Sequence, residues 1–421
     1  MDVQALMEDP ATLGAVAVAV VVVLATLYLL TAKAAPEPEP EPEPKPEPVR
    51  AKARAEPKPK KQAPAKKGGS KGGGGGAKHP LQHYSSKPHS GGISTVAFSR
   101  NGRTLACTGA DRKVTVLQGY ENGSAGVKSK PVQCISQTER GVDYPDGVSC
   151  GAIGGKNNYL LVATESNALR AYYLPDVMGT VGAKASTQTL NLSKAHSENR
   201  TIHNVALAPK GNYMLSCTNE SEIKLFSFPP PGGSEAVETI NTNLTKCHQL
   251  RMSPDGTYFA CAGTSSEVKV WRVETGPART PGSNDGTPTG CTKASVLTGH
   301  KRGVWSVDWS ADGSKTVTSS KDGTWRLYDM KEGMAFGKCI ANGSSDLGEI
   351  TLIALSLDGS IIAAVVGTAI QFIRSADNAV LDTIPQAHGL TVNSIAFSPD
   401  GKLLASVSDD CFLKMWTVPS A

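Results

Sequence analysis

The stretch Gly299–Asp329, GHKRGVWSVDWSADGSKTVTSSKDGTWRLYD, decides the fold. Val304, Ser306 and Asp308 alternate with Trp305, Val307 and Trp309, the period of two that a strand requires. Ser310 to Gly313 is a polar turn ending in glycine, and Lys315 to Ser319 is a second short β-branched run. Asp322-Gly323 is a tight-turn dipeptide, after which Trp325, Leu327 and Tyr328 make a third strand. Three such strands cannot bury both faces of their own sheet, so the unit must recur.

It does recur. Repeat one is HSGGISTVAFSRNGRTLACTGADRKVTVL, from His89 to Leu117, and repeat seven is HGLTVNSIAFSPDGKLLASVSDDCFLKMW, from His388 to Trp416. Between them lie weaker copies beginning at Gly147, His203, Cys247 and Ile350, with the stretch quoted above as the fifth. The turn glycines Gly211, Gly256, Gly313, Gly359 and Gly401 stand 45, 57, 46 and 42 residues apart. That is the period of a propeller blade with one insertion, Glu274 to Lys293, whose Gly, Pro and Thr content reads as a long exposed loop. The expected fold is all-β, a seven-bladed β-propeller over residues 79–421. A blade needs four strands, yet after Trp416 too few residues follow to turn back and pair. The missing outer strand is expected from His79 to Ser86, directly before repeat one, with Pro80 tolerable at an edge.

The N-terminal part has a different character. Residues 1–10 carry Asp2, Glu8 and Asp9 and no basic side chain, and Ala11 to Leu30 is an uncharged apolar run long enough to span a bilayer. It reads as one transmembrane helix. A secretory signal peptide is the rival reading, opposed by the acidic leading region and by the length of the run. Residues 31–78 form a linker, first a Pro-Glu alternation that favours stiff extended chain and then, from Arg50 to Lys78, ten basic residues against Glu56, closing in glycines. This basic flank predicts that everything after the helix faces the cytosol. The tract reads as solvated linker, with weak contact to anionic lipid or RNA as its sharper alternative, because no aromatic residue that stacks on bases is interleaved.

The net charge is +5, and residues 1–78 hold twelve basic and nine acidic side chains, leaving the propeller nearly balanced. Nothing in the repeats has the footprint of a nucleic-acid interface. Nine cysteines without a Cys-x-x-Cys pair suit a reducing compartment. Six Asn-x-Ser/Thr sequons, at Asn122, Asn191, Asn199, Asn219, Asn243 and Asn342, argue the other way and would count if the propeller were lumenal.

The repeats resemble the WD-repeat family, and the similarity extends to a membrane-tethered type through TINTN at Thr239 to Asn243, VKVW at Val268 to Trp271 and SKDGTWRLYD at Ser320 to Asp329. The resemblance implies a buried tetrad in each complete blade: the Gly-His histidine, a Ser or Thr of the second strand, the tight-turn Asp and the closing Trp. In repeat seven these are His388, Ser406, Asp410 and Trp416. Repeat five has His300, Thr318 and Asp322, with the Tyr328 hydroxyl in place of the indole donor. Repeat one has His89 and Asp111, but Cys107 and Leu117 leave its network incomplete. In this context the Ser, His and Asp side chains read as structural, because a hydrolytic nucleophile needs an open cleft. The Gly-x-Ser-x-Gly strings at Gly68 and Gly147 lack the strand-to-helix setting of a nucleophile elbow, and GAIGGKN at Gly151 departs from a phosphate loop at Cys150 and Asn157.

No catalytic residue, cofactor or metal is therefore expected. The expected role is a scaffold that binds other proteins, with Arg112, Lys321 and Asp409, beside the turn aspartates, lining one candidate face. The resemblance further implies the endoplasmic reticulum membrane, a propeller in the cytosol, and partnership with a stress kinase of the unfolded protein response and ribosome-associated translation factors. Two alternatives stand beside it. One is a membrane-bound nucleotide-exchange factor for a small GTPase of vesicle budding, whose family places its membrane helix after the propeller. The other is a secreted or lumenal propeller.

Overall fold

The computed structural model describes residues 79–420 except 121–126, 134, 138–142, 146–147, 155–158, 174–187, 193–194, 197–199, 219, 221, 229–234, 278–285 and 334–335. The expected membrane segment 11–30 and linker 31–78 lie outside the described residues, among which no helix is long and apolar enough to cross a membrane.

Every regular element described is a strand. Strand β1 (Gln82–Ser86) precedes the first blade, β2–β5 (Ile93–Phe98, Thr104–Gly109, Lys113–Gln118, Lys128–Gln133). A small hairpin, β6 and β7 (Ile135–Gln137, Asp143–Pro145), leads to the second blade, β8–β11 (Val148–Gly154, Tyr159–Thr164, Leu169–Tyr173, Gln188–Leu192). The third is β12–β15 (Ile202–Leu207, Tyr213–Thr218, Glu222–Ser227, Glu238–Asn241) and the fourth β16–β19 (Cys247–Met252, Tyr258–Gly263, Val268–Thr275, Pro288–Leu297). The fifth is β20–β23 (Val304–Trp309, Lys315–Ser320, Thr324–Asp329, Lys338–Ser344) and the sixth β24–β27 (Leu352–Leu355, Ile361–Val366, Ala369–Arg374, Val380–Ile384). The seventh has β28–β30 (Val392–Phe397, Leu403–Ser408, Leu413–Thr417), and its fourth strand is β1.

The seven sheets are each four-stranded and antiparallel, and the first strands neighbour one another in order around a closed ring. Each blade is packed on both faces by its neighbours, so its second strand reads as a continuous small or apolar run. TLACTG, YMLSCT and LLASVS are buried at all six positions. The outermost strand β23, KCIANGS, instead alternates between half-buried and exposed residues.

The core is accordingly divided into seven clusters, one per blade interface. The closing interface packs Ile93, Leu105 and Leu117 of the first blade against Ala405, Leu413 and Met415 of the seventh, with Tyr84 of β1 among them. β1 lies antiparallel to β30, Ser85 opposite Lys414 and Ser86 opposite Leu413, so the strand expected before repeat one is the one that completes the last blade.

Two expectations are corrected. The insertion after repeat four is an extended hairpin rather than a loop from its first residue: β18 runs on to Thr275, and Glu274 and Thr275 pair with Gly290 and Pro288 of β19. Thr289 and Thr292 hold the pairing with hydroxyl bonds to the Glu274 carbonyl (3.2 Å) and carboxylate (2.8 Å). The histidine that serves the third blade is His196, seven residues upstream of the His203 that opens the repeat in sequence.

Candidate functional site

In the seventh blade the tetrad closes. His388 Nδ1 lies 3.0 Å from Asp410 Oδ2, His388 Nε2 2.7 Å from Ser406 Oγ, and Trp416 Nε1 donates to the same Oγ at 2.8 Å. The network ties the loop before the first strand to the second strand, the tight turn and the third strand, and its members are buried save for the edge of the carboxylate. Burial pushes the Asp410 carboxyl upward, but hydrogen bonds from His388, Gly389 N and Phe412 N outweigh it and bring it down to about 2.

The fifth blade keeps the same frame. His300 Nε2 is 2.8 Å from Thr318 Oγ1, and Nδ1 stands 3.3 Å from Asp322 Oδ2 and 3.2 Å from Thr324 Oγ1. Tyr328 adjoins Thr318, as a substitute for indole must, yet donates its proton to the Thr298 carbonyl at 2.9 Å. In the first blade His89 Nδ1 meets Asp111 Oδ1 at 2.7 Å, while Nε2 finds only the Cys107 carbonyl at 3.3 Å and sulfur at 3.4 Å. The network left unread in the sequence is that of the third blade, where His196 Nδ1 contacts Glu222 Oε1 at 2.8 Å and Nε2 contacts Ser216 Oγ at 2.7 Å. Burial holds the His196 imidazole below its ordinary value, despite the opposing Glu222 carboxylate. These Ser, His and carboxylate groups are engaged with one another inside the sheets. Ser216 and Ser406 are wholly buried, which gives a substrate no access to either hydroxyl.

The register puts Val304 opposite Ser320, Ile93 opposite Gly109 and Val392 opposite Ser408. The tight turns after the second strands therefore lie at the same end of the ring as the start of the innermost strands. Arg112, Lys321 and Asp409 are all exposed at that end, on the first, fifth and seventh blades. They are not in one cluster. Asp409 accepts from Asn393 Nδ2 at 2.7 Å, and the same amide reaches the Ile93 carbonyl at 3.0 Å, bridging the closing blades. The Lys321 ammonium stands 6.0 Å from the Trp305 ring centre.

Trp305 is the feature the sequence hid. Its ring packs against His248 with centres 4.4 Å apart and planes tilted by 42°, it donates its indole N–H to Glu349, and it lines a cavity of about 420 Å³ in the central channel. Asn204, Asn393 and Gln249 add amide groups to that wall. Below it the channel is stitched between blades: Ser306 Oγ donates to Gln249 Oε1 at 2.6 Å and accepts from Ile353 N at 3.1 Å, and Leu355 N donates to Asp308 Oδ2 at 3.0 Å. Burial raises the Asp308 carboxyl against the pull of Arg251. The opposite mouth, about 550 Å³, is lined by Phe98, Met252, Trp309 and Phe397. Its rim is formed by turns in which a serine hydroxyl meets Asp255, Asp312, Asp358 or Asp400 at 2.5 to 2.8 Å.

The blades and their networks define the class, a seven-bladed WD-repeat propeller. The WD domain, G-beta repeat model matches residues 80–116, 236–272, 291–329 and 380–417. Each match opens near the outer strand of one blade and ends in the third strand of the next, so the repeat in sequence is offset from the blade in space by one strand. The chain carries WD repeats over those residues and resembles transducin beta-like protein 2 of Mus musculus and of Homo sapiens. It is 24% identical to each over 339 residues, 79% of this chain and 71% and 70% of those proteins. Meiotic recombination protein rec14 of Schizosaccharomyces pombe is 26% identical over 207 residues, 49% of this chain and 63% of that protein.

Proposed function

We propose that the protein is a non-catalytic, membrane-anchored scaffold whose propeller binds other proteins from the cytosolic side of the endoplasmic reticulum membrane. Propellers of this family bind proteins through the rigid faces of the ring, and here the tilted Trp305–His248 pair beside Lys321 is the observation that carries the reading. It presents an aromatic anchor with charged and amide neighbours at an open mouth, while the titratable trios inside the blades are spent on structure.

The anchor rests on the uncharged run Ala11 to Leu30, and the orientation on the basic tract that follows. The likeness to transducin beta-like protein 2 supports a place among partners of the unfolded-protein-response stress kinase and ribosome-associated translation factors. Protease added outside sealed microsomes should digest the propeller or its linker, and affinity capture with the full chain in detergent should recover the kinase or ribosomal factors. Protection of the propeller, or endoglycosidase-sensitive sugar at the exposed Asn243 or Asn342, would establish the lumenal alternative instead.

A further inference from the structure

Between the third and fourth blades three cysteine sulfurs converge. Cys217 comes from β13, Cys247 from the first position of β16 and Cys261 from β17. All three are buried, their sulfurs lie within 4.8 Å of one another, and the Cys247–Cys261 pair is 2.9 Å apart. A register shift between Cys247 and Gln249 accompanies the entry of Cys247 into this interface, where it packs among Leu244, Leu250 and Ile223. Cys107, which holds in the first blade the second-strand position that Cys261 holds in the fourth, instead has its sulfur 3.4 Å from His89 Nε2 and belongs to no such cluster among the described residues.

We infer that Cys217, Cys247 and Cys261 form a three-sulfur binding site for a soft, monovalent thiophilic metal ion, of which Cu(I) is the biological member. The donor set is sulfur alone, which selects soft ions over those that prefer imidazole or carboxylate. A structural zinc ion takes four ligands, and among the described residues no fourth His, Cys, Asp or Glu joins the three. Three metal–sulfur bonds of about 2.3 Å in a plane place the sulfurs about 4 Å apart. The Cys247–Cys261 pair opens by about 1 Å to reach that spacing, a side-chain rotation.

Binding of the ion displaces the thiol protons to solvent, with no change of oxidation state.

The test uses the full chain in detergent, reduced and stripped of metal, titrated without oxygen with Cu(I) against a coloured Cu(I) chelator, and separately with Zn(II). The expected result is one tightly held copper per chain and an X-ray absorption signature of sulfur ligands only. Affinity should fall by about 100-fold or more in Cys247→Ser and in Cys261→Ala, since even outer-shell losses reach that range. Cys107→Ser should bind as the unaltered chain does. The absorption measurement on the unaltered protein guards against variants that fail to fold. Nitrogen or oxygen in the shell, tighter zinc than copper, or equal affinity in Cys107→Ser and Cys247→Ser would each overturn the site.

Discussion

The backbone of Gln82 lies opposite that of Trp416, so the strand that begins the propeller lies along the strand that ends it. Thr417 N donates to the Leu81 carbonyl at 2.7 Å immediately beyond this pair, and Tyr84 of β1 enters the closing core. The ring is thus held shut by pairing between the two ends of the propeller rather than by covalent continuity, and without β1 the edge of β30 is open to other chains.

Removal of residues 1–70 should leave a soluble, folded propeller. Removal of residues 1–87 takes β1 with it and should lower the melting temperature sharply or cause aggregation. Equal melting temperatures and equal solubility for the two truncations would show that β1 contributes nothing to closure.

The seventh-blade tetrad makes two linked expectations. Asp410→Ala leaves the buried His388 without the acceptor for Nδ1 and should cost about 1–3 kcal/mol by urea denaturation. Asp410 and Asp322 are each brought from 3.8 down to about 2 in the folded protein. Their contribution is therefore present above the ordinary carboxylate value and is lost as the pH falls through it towards the folded-state value. The denaturation midpoint of the unaltered propeller should drop between about pH 4 and about pH 2, and Asp410→Asn should flatten part of that drop. A midpoint unaffected by either substitution would remove the tetrad from the stability of the blade.

The fifth and seventh blades were legible because histidine, Ser or Thr, turn aspartate and closing aromatic stand at matching spacings in both. The third blade was not, for a geometric reason. Its acceptor is Glu222, whose longer side chain reaches His196 from the start of β14, and its histidine stands six residues before the first strand rather than four. A hydrogen bond needs an acceptor within reach, not a particular spacing, so the pattern failed where the physics held. Trp305 escaped for another reason. Alternation in VWSVDW separates two faces of β20 but does not say which faces the channel, since that depends on six other blades. Cys247 was likewise invisible as a neighbour of Cys217, because repeat spacing does not say which side chains meet across the interface between two blades.

The reassignment in the third blade separates two histidines. His196 is buried with both ring nitrogens bonded, whereas His203 is exposed at the channel mouth. His196→Ala strands the Ser216 hydroxyl and the Glu222 carboxylate and should cost about 1–3 kcal/mol. His203→Ala should leave stability within about 0.5 kcal/mol of the unaltered protein. Parallel thermal melts of the two variants decide it, and a larger loss for His203→Ala would restore the repeat boundary at that residue.

The partner face is tested where its charges and its aromatic anchor meet. Lys321 beside Trp305 belongs to the fifth blade, while Arg112 and Asp409 lie beside the closing interface, so a partner broad enough to cover the mouth touches all three. Rim charges act mainly on association rate and salt dependence, whereas a desolvated aromatic anchor acts on dissociation. Reversing the three charges, in Arg112→Glu, Lys321→Glu and Asp409→Lys together, should slow capture of the partner and flatten its dependence on salt. Trp305→Ala should instead shorten the life of the complex, with a loss of about tenfold or more in affinity, while the Trp325 and Trp416 cores keep the ring folded. Surface plasmon resonance of the captured partner on the immobilised propeller separates the two effects. If both variants bind and release it at the rates of the unaltered protein, the partner uses the opposite mouth, around Phe98, Met252 and Phe397.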